Sequence, residues 1–293
     1  MKHRSILIGL IAVLSWFAAT DSRATLPVTN GLVLWLEPET PIGPGNGDPV
    51  SLWPDSSPSN NDAINGTSSQ QGTYVLGAIN GHPAVQFSDD NHQHIGNDDW
   101  IGVSRQTFTN GLTYVAVFST LNTTTLKTYP MNAGNTLIGD NHGAVRNGFG
   151  VTGGKLEMNI YDEQAGNFSY QSSGSVADGE LHVGMVTLAP SGASNLQLFL
   201  DNNLEASATR SNLMHLIGFN RISGGWGDGG STTRDTFDGL IGEILVYDRV
   251  LSSTERNQVY NYLLAEFVVP EPSTTLLLGV GGWVLWRRRR NAC

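Results

Sequence analysis

Two stretches of this chain gather most of the side chains able to do chemistry. ISGGWGDGGSTTRDTFDG, residues 222 to 239, combines a run of glycines with one tryptophan and three aspartates. Glycine lets a backbone approach a ligand closely, and the flat face of Trp226 suits stacking on a sugar ring. Asp228, Asp235 and Asp238 supply hard oxygens of the kind calcium takes. FSDDNHQHIGNDDW, residues 87 to 100, packs four aspartates and two histidines together. Asp89, Asp90, Asp98 and Asp99 form a second candidate calcium set. His92 and His94 share a face if the segment is extended, but no cysteine or third histidine stands nearby to complete a transition-metal site. Neither stretch has the fixed spacing of an EF-hand. The competing reading of both is plain solvation, with Trp226 tucked under a sheet edge.

A third stretch, WPDSSPSNND at residues 53 to 62, reads as structural. Trp53 is expected to anchor the core or an edge, while Asp55, Ser57 and Asn61 bond local amides in Asx-type turns. A ligand role for Asp55 or Asp62 is the alternative. Catalysis has its own requirement. A retaining glycosidase needs two carboxyls about 5 Å apart, on one strand face. In GEILVYD, Glu243 and Asp248 are oddly spaced and so fall on opposite faces. LEMNIYDE offers Glu157, Asp162 and Glu163 without a matched pair. No Gly-x-Ser-x-Gly, Walker loop or His-Glu-x-x-His occurs, so no enzyme is expected.

These loops need a frame, and composition says which kind. The chain has 293 residues, 39% hydrophobic and only 14% charged, with 35 glycines. Low charge and many short apolar runs suggest an all-β extracellular domain and exclude disorder. The single cysteine, Cys293, rules out a disulfide framework within the chain, so stability rests on a sizeable core or bound ions. Strand-like runs are Gly31 to Leu36, Ala84 to Phe87, Leu112 to Phe118, Leu156 to Tyr161, Leu181 to Leu188, Leu196 to Leu200 and Leu240 to Tyr247. Asp201-Asn202-Asn203 can supply the positive-φ residues of a tight hairpin turn. Strands at this spacing imply two stacked antiparallel sheets. One helix is expected in DRVLSSTERNQVYNYLLAEF, with Ser252 and Glu255 at capping-box spacing. Val259, Tyr262, Leu263 and Phe267 fall on its one apolar face.

Both ends read as addresses. Lys2 and Arg4, an apolar run from Ile6 to Ala19, and Ser22-Arg23-Ala24 have the layout of a secretory signal cleaved near Ala24. At the other end, Pro270, Glu271 and Pro272 precede an apolar segment from Leu276 to Trp286 and then Arg287, Arg288, Arg289 and Arg290. Between these handles, residues 25 to 269 hold 9 basic and 24 acidic side chains, a net charge of −15. Such a surface repels nucleic acid and anionic lipid, and favours cations or neutral sugars.

The ordered tail, Pro-Glu-Pro then short apolar helix then arginine cluster, resembles the PEP-CTERM sorting signal of Gram-negative bacteria. That resemblance implies recognition by an exosortase-type membrane protease, transient residence in the inner membrane, and a final place at the cell surface or in the extracellular matrix. A simple tail anchor is the alternative. A second resemblance covers most of residues 30 to 267. GLVLWLEPET, LWPDSSPSNNDA, AINGHPAVQF, LFLDNNLEA and FDGLIGEILVYDRVLSSTERNQVYNYLLAEF are similar, in this order, to laminin-G-like, concanavalin A-like jelly-roll domains. Two departures concern loops: no glycine follows Asp55-Ser56-Ser57, and the hairpin has Asp-Asn-Asn in place of Asp-Gly. The resemblance implies a jelly-roll β-sandwich with one C-terminal helix, and a structural role for Glu243 bonding buried backbone. The expected domains are a signal peptide at 1–24, a jelly roll at 25–268 and a sorting signal at 269–293. The expected function is non-catalytic binding of polysaccharide or another envelope component, with calcium as a structural ion. A glycoside hydrolase or lyase and a purely structural matrix component are the alternatives.

The tail generates a direct test. Mature protein from the native host is expected to end near Pro270 to Pro272, and neutral replacements of the four arginines are expected to disturb that processing. C-terminal peptide mass spectrometry on secreted or surface material decides it, and intact RRRRNAC there overturns the expectation.

Overall fold

The computed structural model describes residues 25–40, 45–88, 99–123, 135–140, 145–162, 166–210, 217–224 and 236–268. Strands are numbered in chain order: β1 (Leu32–Leu36), β2 (Leu52–Trp53), β3 (Ala63–Ile64), β4 (Thr73–Ile79), β5 (His82–Phe87), β6 (Ile101–Thr107), β7 (Leu112–Ser119), β8 (Thr136–Asp140), β9 (Val145–Thr152), β10 (Lys155–Asp162), β11 (Gly166–Gln171), β12 (His182–Leu188), β13 (Leu196–Leu200), β14 (Asn203–Ala208), β15 (Gly218–Ile222) and β16 (Gly239–Tyr247). One helix, α1 (Ser253–Val268), follows. The strands form two antiparallel eight-stranded sheets. Sheet A runs β14-β13-β12-β7-β16-β5-β4, with β1 also on β16, and sheet B runs β11-β10-β9-β8-β15-β6-β3-β2. This is the expected β-sandwich.

Strand β16 organises sheet A. Its first residues pair with β5 and its last four with β1 along the same edge, while β7 takes the other edge. Two tight hairpins follow from local chemistry. Asn80-Gly81 joins β4 to β5 with φ of 50° and 95°, and Asp201-Asn202 joins β13 to β14 with φ of 49° and 65°. Both central residues of such a turn must be left-handed, which Gly, Asn and Asp tolerate. Asn202 therefore does the work of the missing glycine, and the departure from Asp-Gly leaves the turn intact.

The main core lies between the sheets, around Trp53, Tyr114, Phe118, Phe149, Phe219 and Phe237. Burying each of these side chains contributes about 1.5–3 kcal/mol. A second core lies on the outer face of sheet A. There Val259, Tyr262, Leu263 and Phe267 of α1, with Leu26, Val28 and Leu32 from the N-terminal segment, cover Val117, Met185, Phe199 and Leu245. The helix face is the one predicted. Its capping box is present: Glu255 N donates to Ser252 Oγ at 3.3 Å, and Ser252 N donates to Glu255 Oε2 at 2.8 Å. Arg249 adds two hydrogen bonds to that carboxylate and is the largest cause of its fall to a pKa of about 2. Room for the helix comes from Gly242, where a Cβ would lie 2.8 Å from the Phe267 ring.

Glu243 is buried and accepts from the Trp35 indole at 2.7 Å. Two expectations need correction. Strands β2, β3, β4, β6, β8, β9, β11 and β15 are absent from the predicted runs, because they are short or interleave glycine and polar residues with the apolar ones, as in VRNGFGVT. Asn61 reaches beyond its own turn, exchanging hydrogen bonds with the backbone of Ser104 on β6.

The Trp-x-Asp-x-Ser segment proves structural through Asp55. This buried carboxylate accepts from Trp35 N, Ser57 N, Ser57 Oγ and Asn61 N, all within 2.7–2.8 Å. It thereby ties the loop after β2, in sheet B, to β1, in sheet A. Removing an acceptor strands buried donors at about 1–3 kcal/mol each. Asp55→Ala is expected to destabilise the fold by about 3 kcal/mol or more, since several donors lose their acceptor together. Urea titration of the mature protein measures it, and a loss no larger than that of an exposed-site substitution refutes the assignment.

Candidate functional site

Antiparallel pairing sends the candidate loops to one end of the sandwich. Phe87 pairs with Gly239 and Leu240 with Ser119, so β5 and β7 end where β16 begins. In sheet B, Ile222 pairs with Ile101 and Ile138, so β15 ends where β6 and β8 begin. The described stems of three segments, at 88 and 99, at 120–123 and 135, and at 223–224 and 236–238, thus share one rim, although the sequence separates them widely.

The stems of these segments are hydrogen-bonded to one another. Asp99 Oδ2 accepts from Ser88 N at 3.0 Å and Ser88 Oγ at 2.9 Å, closing the first segment. Ser223 Oγ donates to the Asp99 carbonyl at 2.8 Å and accepts from Phe237 N at 3.1 Å, joining it to the second. Ser223 adopts φ of 53°, which turns the chain out of β15. At the third stem, Thr120 Oγ1 donates to the Asp238 carbonyl at 2.6 Å, and Asn122 Nδ2 to the Asp238 carboxylate at 3.0 Å. A cavity of about 420 Å³ opens beside this last junction, walled by Thr120, Leu121, Asn122, Gly179, Asp238 and Leu240 among others. Leu121 is 75% exposed there, and Asp238 is half-buried, so an apolar surface and a carboxylate flank one cleft.

A histidine supports the cleft from behind. His182 Nδ1 lies 2.9 Å from Asp201 Oδ2, and its Nε2 lies 3.2 Å from Asp178 Oδ1. Its ring packs on Phe118. Asp178 precedes Gly179, whose carbonyl accepts from Ser119 Oγ at the cleft wall. The hydrogen bond to Asp201 is the main cause that raises the His182 pKa, while the amide of Glu180 is the main cause that lowers that of Asp178.

Of the predicted site residues, Asp238 lines the cleft and Asp99 closes a loop stem. Trp226, Asp228, Asp235, Asp89, Asp90 and Asp98 lie outside the described residues, as do His92 and His94, the sorting residues and the signal peptide. Among the described residues, no three His, Cys, Asp or Glu side chains are grouped to hold a metal. No described helix is long and apolar enough to cross a membrane. Four buried carboxylates are engaged structurally: Asp55 as above, Asp140 with Arg105, Glu157 with Asn159, Ser169 and Gln171, and Glu243 with Trp35. Thr120, Asn122, Ser223 and His182 were not singled out in the sequence. Each is a lone polar residue beside a strand end, and only the pairing reveals its partner.

Two stacked antiparallel sheets with loop stems gathered on one rim define a jelly-roll sandwich. Residues 95–255 match the concanavalin A-like lectin/glucanases superfamily, and the chain belongs to that superfamily. Residues 268–290 match the PEP-CTERM protein-sorting motif. Among solved structures, the binding domain of Paraclostridial Mosquitocidal Protein 1 is similar, at 13% identity and a TM-score of 0.53 over 80% of this chain and 52% of that one. The binding domain of botulinum neurotoxin serotype D aligns at 13% identity and a TM-score of 0.53, over 81% of this chain and 52% of that one. The chain therefore spans about half the length of these structures, and at such identity the likeness concerns the fold. A search of curated proteins returns no match.

His182 makes stability depend on pH with a definite sign. Its folded pKa is raised, so its contribution is complete below the unfolded value of about 6.5 and disappears as pH rises through the folded value. The lowered pKa of Asp178 acts in the opposite sense, with its contribution lost as pH falls. The melting-temperature difference between wild type and His182→Gln is expected to be larger near pH 6 than near pH 9. Thermal unfolding at both pH values checks this, and a pH-independent difference contradicts it.

Proposed function

We infer that this is a lectin-type domain on an exported, surface-associated protein of a Gram-negative bacterium, a reading supported by the superfamily membership and the sorting motif together. We propose that an exosortase-type protease processes this protein and that its jelly roll then binds polysaccharide or another envelope component without cleaving it. The observation that carries the reading is the rim: three loop stems pinned to one another, beside a cleft of about 420 Å³ that pairs exposed Leu121 with Asp238. A mostly apolar concavity with a few placed polar groups is the usual form of a site that binds a small ligand or a chain segment. The engagement of the described buried acids in structural hydrogen bonds supports binding over hydrolysis. The net charge of −15 on residues 25 to 269 favours a neutral glycan over an anionic one. Trp226 is proposed as the stacking residue, and Asp228, Asp235 and Asp238 as hydrogen-bonding ones. Calcium at the Asp-rich loops is proposed as a structural ion, relieving carboxylate repulsion.

A glycan-array screen of the mature protein, with and without millimolar calcium, tests the proposal. Wild type is expected to retain a neutral glycan. Trp226→Ala is expected to weaken retention at least about tenfold, equivalent to about 1.4 kcal/mol, while leaving the melting temperature nearly unchanged; Asp238→Ala is expected to weaken it as much and, by removing the acceptor of Asn122 Nδ2, to lower the melting temperature as well. Retention of no glycan, or turnover of a retained one, overturns it.

A further inference from the structure

Buried polar atoms without hydrogen-bond partners are costly, and folded proteins satisfy nearly all of them. In this sandwich several occur singly, such as Trp53 Nε1 and His82 Nε2. One group is not scattered. Asn135 and Thr136 are fully buried and Thr236 is 1% exposed, yet both amide atoms of Asn135 and the hydroxyls of both threonines have no partner.

The register places the two threonines together, and Asn135 adjoins Thr136 in the chain. Thr136 and Thr236 form a parallel bridge, so their side chains project from the same face. Thr136 also pairs with Gly150, and Gly150 with Glu157. Phe149 and Met158, the neighbours of Gly150 and Glu157 in those strands, point into the main core, so this row projects from the outer face of sheet B. Gly150 is required there, because a Cβ would collide with the Asn135 carbonyl oxygen. Asn159, on the same face of β10, donates its Nδ2 to Glu157 and leaves its own buried Oδ1 without a partner.

The types of atom define what fits. Asn135 brings both a donor and an acceptor, and each threonine hydroxyl can give or take a hydrogen bond. A bare cation needs acceptors alone, and an anion needs donors. No formal charge belongs to the set, since the Glu157 carboxylate already accepts from Asn159, Ser169 and Gln171. We propose that Asn135, Thr136 and Thr236 form a binding site for neutral hydroxyl groups, a role that either ordered water or a saccharide hydroxyl fills. Only the saccharide source rests on the glycan-binding reading above.

Threonine and valine have nearly the same shape, which makes the test sharp. If the hydroxyls touch nothing, removing them relieves an uncompensated burial and stabilises the protein. If they hold a ligand, removing them breaks its hydrogen bonds. In the purified mature protein, Thr136→Val/Thr236→Val is therefore expected to lower the melting temperature by about 2–6 °C. A rise or no change overturns the site. Should the double variant not fold, Thr136→Ser, which keeps the hydroxyl, serves with a high-resolution crystal structure of wild type. Ordered density within hydrogen-bond distance of the three residues is expected there, and its absence overturns the proposal. Calorimetric titration with neutral hexaoses of glucose, xylose and mannose separates the sources. Affinity at least tenfold weaker in the double valine variant assigns a saccharide hydroxyl, whereas unchanged affinity, with the melting temperature lowered, assigns water. Failure of wild type to bind any glycan at all counts against the functional reading and leaves the water arm standing.

Discussion

The central strands of sheet A have no solvent face, and most of the architecture follows from that constraint. Every residue of β7 and β12 is buried, as are the last seven of β16, because the main core presses on one side and α1 on the other. A sheet apolar on both faces cannot stand in water, so the C-terminal helix and the segment from Leu26 to Leu32 are integral parts of the domain. The helix must in turn start at the right place, which Arg249, Ser252 and Glu255 secure, and must lie close, which Gly242 permits. With one cysteine in the chain, noncovalent packing carries all of this.

Sheet B is built on the opposite principle. Its outer face carries Glu157, Asn159 and Thr136 among glycines, where sheet A carries valine, leucine and methionine. The asymmetry divides labour: one sheet stores stability, and the other presents polar groups. The two meet where Ser223, Asp99 and Phe237 join the loop stems. The match to the superfamily begins at residue 95, yet β1 and β5, which precede it, complete the edge of β16. The earlier strands therefore belong to the same structural unit.

Legibility in the sequence followed double burial. Runs such as TYVAVF and ILVY are apolar at every position because both faces are covered, and these were recognisable as strands, as was the helix with its cap. Sheet B was nearly invisible, with β10 as the exception. In GFNRI the core residues Phe219 and Ile222 stand three apart across a register shift, and in VRNGFGVT Gly150 separates Phe149 from Val151, so neither gives a clean apolar run. Asp55 was readable as a turn former because its donors Ser57 and Asn61 are local, but its bond to Trp35 spans 20 residues and had no local signal. The site was legible only as two suggestive loops. Their convergence depends on the pairing of Ile222 with Ile101 and of Gly239 with Phe87, which no short motif encodes.

The burial of Phe267, one residue before the end of α1, has a mechanical meaning. Any pull transmitted along the chain from beyond Val268 soon reaches this ring, which packs at a tilt against His82. Load applied there peels the helix from its last turn, lifting Phe267, then Leu263 and Tyr262, then Val259, one contact at a time. Peeling of this kind yields at lower force than shearing all the contacts at once. The outermost attachment of the domain thus behaves as a fuse: it gives way progressively, baring sheet A from its edge, while the inter-sheet core remains closed.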